Sequence, residues 1–258
     1  MTFFATAADG VRIAYEIAGD QPQAIVLVHG FASDRVQNWR APGWYQPLNE
    51  AGHVVVALDC RGHGESDKPH DPSFYGHGKM ADDVIRVMDD AAIGEAVLMG
   101  YSMGGYIAMS LLLRHPERFA KVIIGGVGAS YLDVNAAEQG TNNPARRGMI
   151  ADALVTDDLE SITNRTAREF RIFAEQAGKD RLALAACMRG NRDAFTKEEL
   201  GRSTRSVLVV CGESDALTGP PGPLAAAFVD GRAVVVPKRD HMTTVGDKVY
   251  KQAVIDFL

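Results

Sequence analysis

The stretch Ala96-Val97-Leu98-Met99-Gly100-Tyr101-Ser102-Met103-Gly104-Gly105-Tyr106-Ile107-Ala108-Met109-Ser110-Leu111-Leu112-Leu113 decides the fold. Its first four residues are a short apolar run of the kind that makes a buried strand, and residues 106–113 are a longer apolar segment. Between them lies a pentapeptide with serine at its centre and glycine at each end, Gly100-Tyr101-Ser102-Met103-Gly104. Strand, sharp turn and helix in that order lift the serine clear of a sheet. A serine hydroxyl is a poor nucleophile until a base takes its proton, and such a turn lets a base and a substrate reach it. Gly100 and Gly104 remove side chains where strand and helix pass closely, and Gly105 extends that relief. The N–H of Met103 then points toward the start of a helix, where partial positive charge favours an oxyanion.

Apolar runs alternate with helical patterns on both sides of this turn. Residues 24–28 and 53–58 are continuous runs rich in β-branched side chains, which fits strands buried on both faces. Residues 11–18 alternate apolar and polar, as an edge or antiparallel strand does, and Asp9-Gly10 before them reads as a hairpin turn. A short helix is expected over 43–51, ended by Gly52. A longer one is expected over 79–92, where Met80, Val84, Val87, Met88 and Ala91 recur at helical spacing. Further strands are expected at 121–124, 206–210 and 233–236. The pattern predicts an α/β fold, a parallel sheet covered by helices on both faces.

Residues 130–202 break the alternation. They hold no β-branched run, only alanine-, charge- and leucine-rich patterns such as 159–177 and 180–188, which read as helices. The expected organisation is a core of residues 1–129 and 203–258 with a helical cap insertion, 130–202. Ligands bind at the carboxyl ends of parallel strands, so an insertion there would roof the crevice.

At 258 residues the chain has room for one large α/β domain with an insertion and is too short for two full enzymatic domains. With 46% apolar and 23% charged residues it is an ordinary globular composition. A formal charge of −6 repels nucleic acid and anionic membrane and favours small neutral molecules as partners. Cys60, Cys187 and Cys211 lack metal-ligand spacing; Cys60 and Cys211 end strand-like runs and are expected as buried free thiols. Met1-Thr2-Phe3-Phe4 has neither a basic region nor a long apolar core, and no apolar run approaches membrane-spanning length. A cytoplasmic location is expected. No pattern in the chain speaks to its oligomeric state.

A serine nucleophile needs an imidazole to accept its proton and a carboxylate to hold that imidazole in the right tautomer. Position excludes most of the seven histidines. His53 begins a strand, His115 sits where the helix after Ser102 stops, and His63, His70 and His77 lie in turns or loops; all five read as surface or turn residues. His241 follows the last strand on the same rim as Ser102 and is the expected base. Asp215, in the loop Cys211-Gly212-Glu213-Ser214-Asp215, is the expected orienting acid. Glu213 is its nearest competitor, and Asp240 a weaker one because the side chains of sequence neighbours diverge. The oxyanion donors are expected to be the backbone N–H groups of Phe31 and Met103, Phe31 standing after Gly30 in the loop that follows strand 24–28. His29 reads as a brace for that loop. Trp39 and Trp44 fit pocket lining and plain packing equally well.

These segments together resemble the α/β-hydrolase superfamily: His29-Gly30-Phe31, Asp59-Cys60-Arg61-Gly62-His63-Gly64-Glu65-Ser66, Gly100-Tyr101-Ser102-Met103-Gly104-Gly105, Gly212-Glu213-Ser214-Asp215 and Asp240-His241. The likeness covers about 1–129 and 203–258, and the order of nucleophile, acid and histidine is that of the family. It is similar to the branch that holds small esterases, haloperoxidase-like enzymes without cofactor and C–C bond hydrolases. The resemblance implies an eight-stranded, mostly parallel sheet, a helical cap, and hydrolysis of esters or related bonds without cofactor or metal. Serine at the turn, where aspartate would be needed, removes dehalogenases and epoxide hydrolases. Thr218-Gly219-Pro220-Pro221-Gly222-Pro223 departs from the Asp-Pro or similar helix start implied after the acid. The reading that follows is a carboxylesterase acting on small esters through an acyl-enzyme. The alternatives are a C–C bond hydrolase of β-diketone-type substrates, a perhydrolase, and a binding module with a degenerate pocket, which the intact Ser102, Asp215 and His241 oppose.

Overall fold

Alternation along each strand sorts the apolar side chains into two layers, and a sheet forms between them. This is seen in a computed structural model that describes residues 1–132, 143–176, 178–192 and 194–258. The strands are β1 (Phe3–Thr6), β2 (Arg12–Ala18), β3 (Gln23–Val28), β4 (His53–Leu58), β5 (Ala96–Tyr101), β6 (Phe119–Gly125), β7 (Ser206–Gly212) and β8 (Asp230–Val236). They form one eight-stranded sheet in the order β1-β2-β4-β3-β5-β6-β7-β8. β1 and β2 are antiparallel, as is β2 with β4, and every other pairing is parallel. The mostly parallel α/β sheet expected from the sequence is the sheet observed. Asp9-Gly10 does turn a hairpin, with Gly10 at φ 85°, and its first arm is β1, which the pattern reading had left unplaced.

Period-two geometry decides which residue joins which layer. Val26, Val28, Leu98, Val122, Ile124, Val207 and Val209 face one side, and Ile25, Leu27, Val97, Met99, Ile123, Leu208 and Val210 the other. The helices are α1 (Tyr45–Glu50), α2 (His77–Asp90), α3 (Met103–Arg114), α4 (Pro144–Val155), α5 (Arg165–Gln176), α6 (Arg181–Arg189), α7 (Lys197–Leu200), α8 (Gly222–Ala225) and α9 (Lys248–Phe257). α2, α3 and α8 supply the first layer, and α1 and α9 the second. Trp39 and Trp44 belong to the second layer. Both are fully buried, meet edge to face, and Trp44 donates its indole N–H to the Val245 carbonyl at 2.8 Å.

α4, α5 and α6 follow β6 and precede β7, and they share an apolar cluster built on Ile150, Leu154, Ala167, Leu184 and Met188. The expected helix over 159–177 is divided. A single turn at Leu159–Ser161 is capped by Asp158, and the chain restarts at α5, where the Asn164 side chain accepts the Ala167 N–H at 2.9 Å. Residues 133–142 of the expected insertion, and residue 177 of that helix, lie outside the described residues. No helix among the described residues is long and apolar enough to cross a membrane.

Candidate active site

β5 ends at Tyr101 and α3 begins at Met103, so Ser102 alone makes the turn, with φ 53° and ψ −113°. Positive φ is strained for a residue with a side chain, and the surroundings enforce it. The Ser102 N–H donates to the Gly125 carbonyl at 2.8 Å, and the Ser102 carbonyl accepts from Gly105 N–H at 2.8 Å. A Cβ on Gly100 would overlap the Gly104 carbonyl, and one on Gly104 would overlap the carbonyl of Val28. Strand and helix backbones touch here, and only glycine fits both positions.

His241 reaches the turn from the loop after β8. Its Nε2 lies 3.0 Å from Ser102 Oγ and its Nδ1 2.8 Å from Asp215 Oδ2. An ionised carboxylate only accepts, so the ring proton belongs on Nδ1, and Nε2 keeps a lone pair for the serine hydroxyl. Asp215 is buried, and its Oδ1 accepts the N–H groups of Leu217 at 3.0 Å and Thr218 at 3.2 Å. Burial pushes this carboxyl up, but the His241 bond and charge, with Thr218 and Leu217, outweigh it and hold it below the ordinary carboxylate value. Leu217, and Thr218 at the start of the segment 218–223 that departs from the resemblance, thus fix the acid by their backbone N–H groups. Tyr101 donates its hydroxyl to the His241 carbonyl at 2.6 Å, which anchors the histidine loop.

The competing carboxylates are engaged elsewhere. Asp240 accepts the N–H groups of Met242 and Thr243 in its own turn, and Glu213 accepts the Lys238 N–H. On the other side of Ser102, a Cβ on Gly30 would lie 3.3 Å from the serine Cβ. The loop is held there by Gly30 N–H donating to Asn38 Oδ1 at 3.0 Å. The backbone N–H groups of Phe31 and Met103 have no acceptor among the described residues. His29 donates from Nδ1 to the Gly30 carbonyl at 2.7 Å and accepts Cys60 N–H on Nε2 at 2.9 Å, and burial lowers its pKa. It braces the loop.

Three histidines expected at the surface are buried instead. His53 is 3% exposed, His63 2% and His77 1%. His63 packs against the rings of His29 and Phe31, its Nδ1 donating to the Arg61 carbonyl, and burial drives its pKa well down. His77 is the first residue of α2, not a loop residue, and stacks on Tyr106. A neutral imidazole is a compact ring, and once its N–H finds a carbonyl the core accepts it. His70 and His115 stay at the surface near Asp180 and Glu117.

A cavity of about 1150 Å³ opens over Ser102 and His241, walled by Phe31, Phe170, Phe173, Leu217, Met242 and Arg146 among others. Phe31 meets Phe170 edge to face at 5.7 Å, so the loop beside Ser102 touches α5 directly. Asn38 and Tyr101, which also line the cavity, carried no sequence signal of a role. Cys60, Cys187 and Cys211 are buried and free. Among the described residues no three His, Cys, Asp or Glu side chains cluster to hold a metal ion.

Known proteins share this arrangement of strands. A hydrolase of Pseudomonas aeruginosa PA01 superposes with a TM-score of 0.80 at 22% identity, over 99% of this chain and 97% of that one. The enol-lactonase of Burkholderia xenovorans LB400 does so at 0.73 and 24% identity, over 99% of both chains. At these identities the likeness is one of fold. In sequence, a Bacillus subtilis (strain 168) protein provisionally named 2-succinyl-6-hydroxy-2,4-cyclohexadiene-1-carboxylate synthase is 25% identical, over 98% of this chain and 97% of its own. The family model described as the alpha/beta hydrolase fold matches residues 23–242, from β3 to the loop of His241, and the chain belongs to that family of hydrolases.

Proposed function

We propose that the chain is a serine hydrolase that cleaves small carboxylic esters through an acyl-enzyme, with Ser102 as nucleophile, His241 as base and Asp215 as orienting acid. The observation that carries this reading is the unbroken line of hydrogen bonds from Asp215 Oδ2 through both His241 nitrogens to Ser102 Oγ. In the reaction His241 takes the serine proton as Oγ attacks the ester carbonyl, then gives it to the leaving alcohol. A water deprotonated by the same imidazole releases the acid. The charge on the carbonyl oxygen is met by the N–H groups of Phe31 and Met103, the latter at the positive end of α3. Residues 130–202 act as a cap that shapes the cavity and supplies no reacting group. C–C bond hydrolysis and perhydrolysis use the same three side chains, and the ester reading is preferred because ester cleavage asks nothing beyond a nucleophile, its base and donors for the oxyanion.

A panel of 4-nitrophenyl esters of rising acyl length, with a fluorophosphonate label read by mass spectrometry, tests the proposal. Ser102→Ala should lower kcat by at least about 10⁴-fold and abolish labelling while the melting temperature holds, since a turn hydroxyl adds little to the core. Near-native turnover by this variant would remove Ser102 from the mechanism.

A further inference from the structure

The cap is rich in arginine, and five of its guanidinium groups pair with carboxylates. In α5, Arg165 pairs with Glu169, Arg168 with Glu160 and Arg171 with Glu175. In α6, Arg181 pairs with Asp157 and Arg189 with Asp152. Arg146, at the third position of α4, differs. It stands in the wall of the cavity over Ser102, half-buried, and among the described residues its side chain donates to the Thr166 hydroxyl alone, at 3.1 Å. Among the described residues no carboxylate pairs with it, and its Nε–H and Nη1 groups have no acceptor.

The neighbourhood makes this charge costlier. A cation in the first turn of a helix faces the positive end of the macrodipole, and α4 places Arg146 and Arg147 there with no acidic residue in the turn. Among the described residues the Arg147 side chain is held by the Met188 and Gly190 carbonyls. Burial, and then the charge of Arg192, lower its pKa to about 10. Arg192 in turn donates to His77 Nε2 and the Cys187 carbonyl, and to no carboxylate among the described residues. Among the described residues, then, no carboxylate pairs with Arg146, Arg147 or Arg192, in a chain whose formal charge is −6.

The other charges of the cavity wall do not balance Arg146. Glu169 is taken by Arg165 and Asp247 by Arg239 at 2.6 Å. Asp240 is tied into its own turn by Met242, Thr243 N–H and the Thr243 hydroxyl. A half-buried guanidinium with two open donor groups suits a planar oxyanion, which it can hold through a fork of two parallel bonds.

We propose that Arg146, with the Thr166 hydroxyl beside it, binds a free carboxylate of the substrate, so that the ester cleaved at Ser102 carries a second, ionised carboxyl group remote from its scissile bond. This rests on the serine-hydrolase reading and narrows it from esters in general to half-esters and carboxylated esters. It reverses what the overall charge suggests: the net field repels anions, while the inner wall of the cavity attracts one.

The test compares pairs of esters alike in size that differ by the carboxylate: mono-4-nitrophenyl adipate against 4-nitrophenyl hexanoate for the acyl side, and 4-acetoxybenzoate against phenyl acetate for the alcohol side. Each rate is normalised to hydroxide hydrolysis of the same ester. Arg146→Gln should lower the carboxylate-to-neutral ratio of kcat/KM by about tenfold or more in one of the pairs, expressed in KM, as loss of a charge-assisted hydrogen-bonded pair does. Arg146→Lys should restore part of that ratio, because charge returns without the fork. Arg168→Gln, which removes the same formal charge outside the cavity wall, should shift it by less than about twofold, the effect of a screened distant charge. If Arg146→Gln changes both members equally in both pairs, the carboxylate site is overturned. Ser102→Ala separates the two readings, because turnover of all four esters by that variant would defeat the serine mechanism and leave the ratio uninterpreted.

Discussion

Asp215→Asn removes one charge at the most enclosed link of the hydrogen-bonded line, where the structure permits a number. When His241 takes the serine proton it becomes a cation next to the Asp215 carboxylate, whose side chain has no exposed surface. The nitrogen and oxygen are 2.8 Å apart. With charge centres about 4 Å apart and an effective dielectric of about 20, the attraction is about 4 kcal/mol, or roughly 10³ in rate. The amide adds a second loss. Its oxygen would be drawn to the donors that Oδ1 now satisfies, the Leu217 and Thr218 N–H groups. Its NH₂ then faces His241 Nδ1, which forces the ring proton to Nε2 and leaves Ser102 without an acceptor. The expected fall in kcat is therefore about 10³–10⁴-fold.

Asp215→Ala should lose less than Asp215→Asn, because water in the vacated space can still accept from Nδ1. The assay is kcat for a short 4-nitrophenyl ester, with circular dichroism and melting temperature as folding controls. The native carboxyl is held below its ordinary value of 3.8. For a group with a depressed native pKa, the ionised form and its stabilising contribution persist above that value and are lost only as pH falls through the native pKa. The wild-type carboxylate thus keeps its charge throughout an assay range of about pH 6 to 9. An Asn variant within tenfold of wild type, or an Ala variant weaker than Asn, would refute the tautomer argument.

Three further outcomes are expected. Gly104→Ala puts a methyl group against the Val28 and His29 carbonyls; overpacking against backbone should cost about 3 kcal/mol or more, read as a fall of roughly 6–12 °C in melting temperature. Phe170→Ala and Phe173→Ala enlarge the cavity wall and should move the preferred acyl chain upward, each methylene being worth about 1–3 kcal/mol, while kcat on the best ester falls little. Met188, buried in the cap cluster and not part of the wall, should affect stability and not this ranking. Lys179→Ala breaks the 3.1 Å pair with Asp34 that joins the cap to the loop of Phe31. Burial raises the Asp34 carboxyl, but the Gln37 N–H and then Lys179 hold it below 3.8; the loss in melting temperature should therefore be full at pH 7 and pH 5 and shrink toward pH 3.

What could be read from the chain beforehand was whatever the backbone imposes. β-Branched runs at β3, β4, β6 and β7 exposed the parallel strands because strands buried on both faces need apolar side chains at every position. Glycines around Ser102 marked a close crossing, since no other residue fits there. β1 was missed because its two exposed phenylalanines, Phe3 and Phe4, give no alternation to detect. The division of the 159–177 pattern was missed because alanine and charge content continued across it, while the break is made by two side-chain caps, Asp158 and Asn164.

The candidate site divides along the same line. Expecting His241 beside Ser102 required only the order of strands: it follows the last strand on the rim that carries the serine, and the structure places its Nε2 3.0 Å from Ser102 Oγ. Judging burial of the remaining histidines required partners far away in sequence. His63 needs the ring of His29, and His77 needs Tyr106 on α3 and Arg192 beyond α6. Such pairings are set by packing, which local pattern does not encode. The same reason hid Arg146 inside an arginine-rich segment: its place in the cavity wall and its want of a carboxylate among the described residues are set by packing and leave no mark on the sequence. The chemistry common to the family is accordingly written in positions that the backbone dictates. If Arg146 selects substrate as proposed, that choice rests on a single side chain in the cavity wall, and one substitution can change it while the hydrogen-bonded line from Asp215 to Ser102 stays intact.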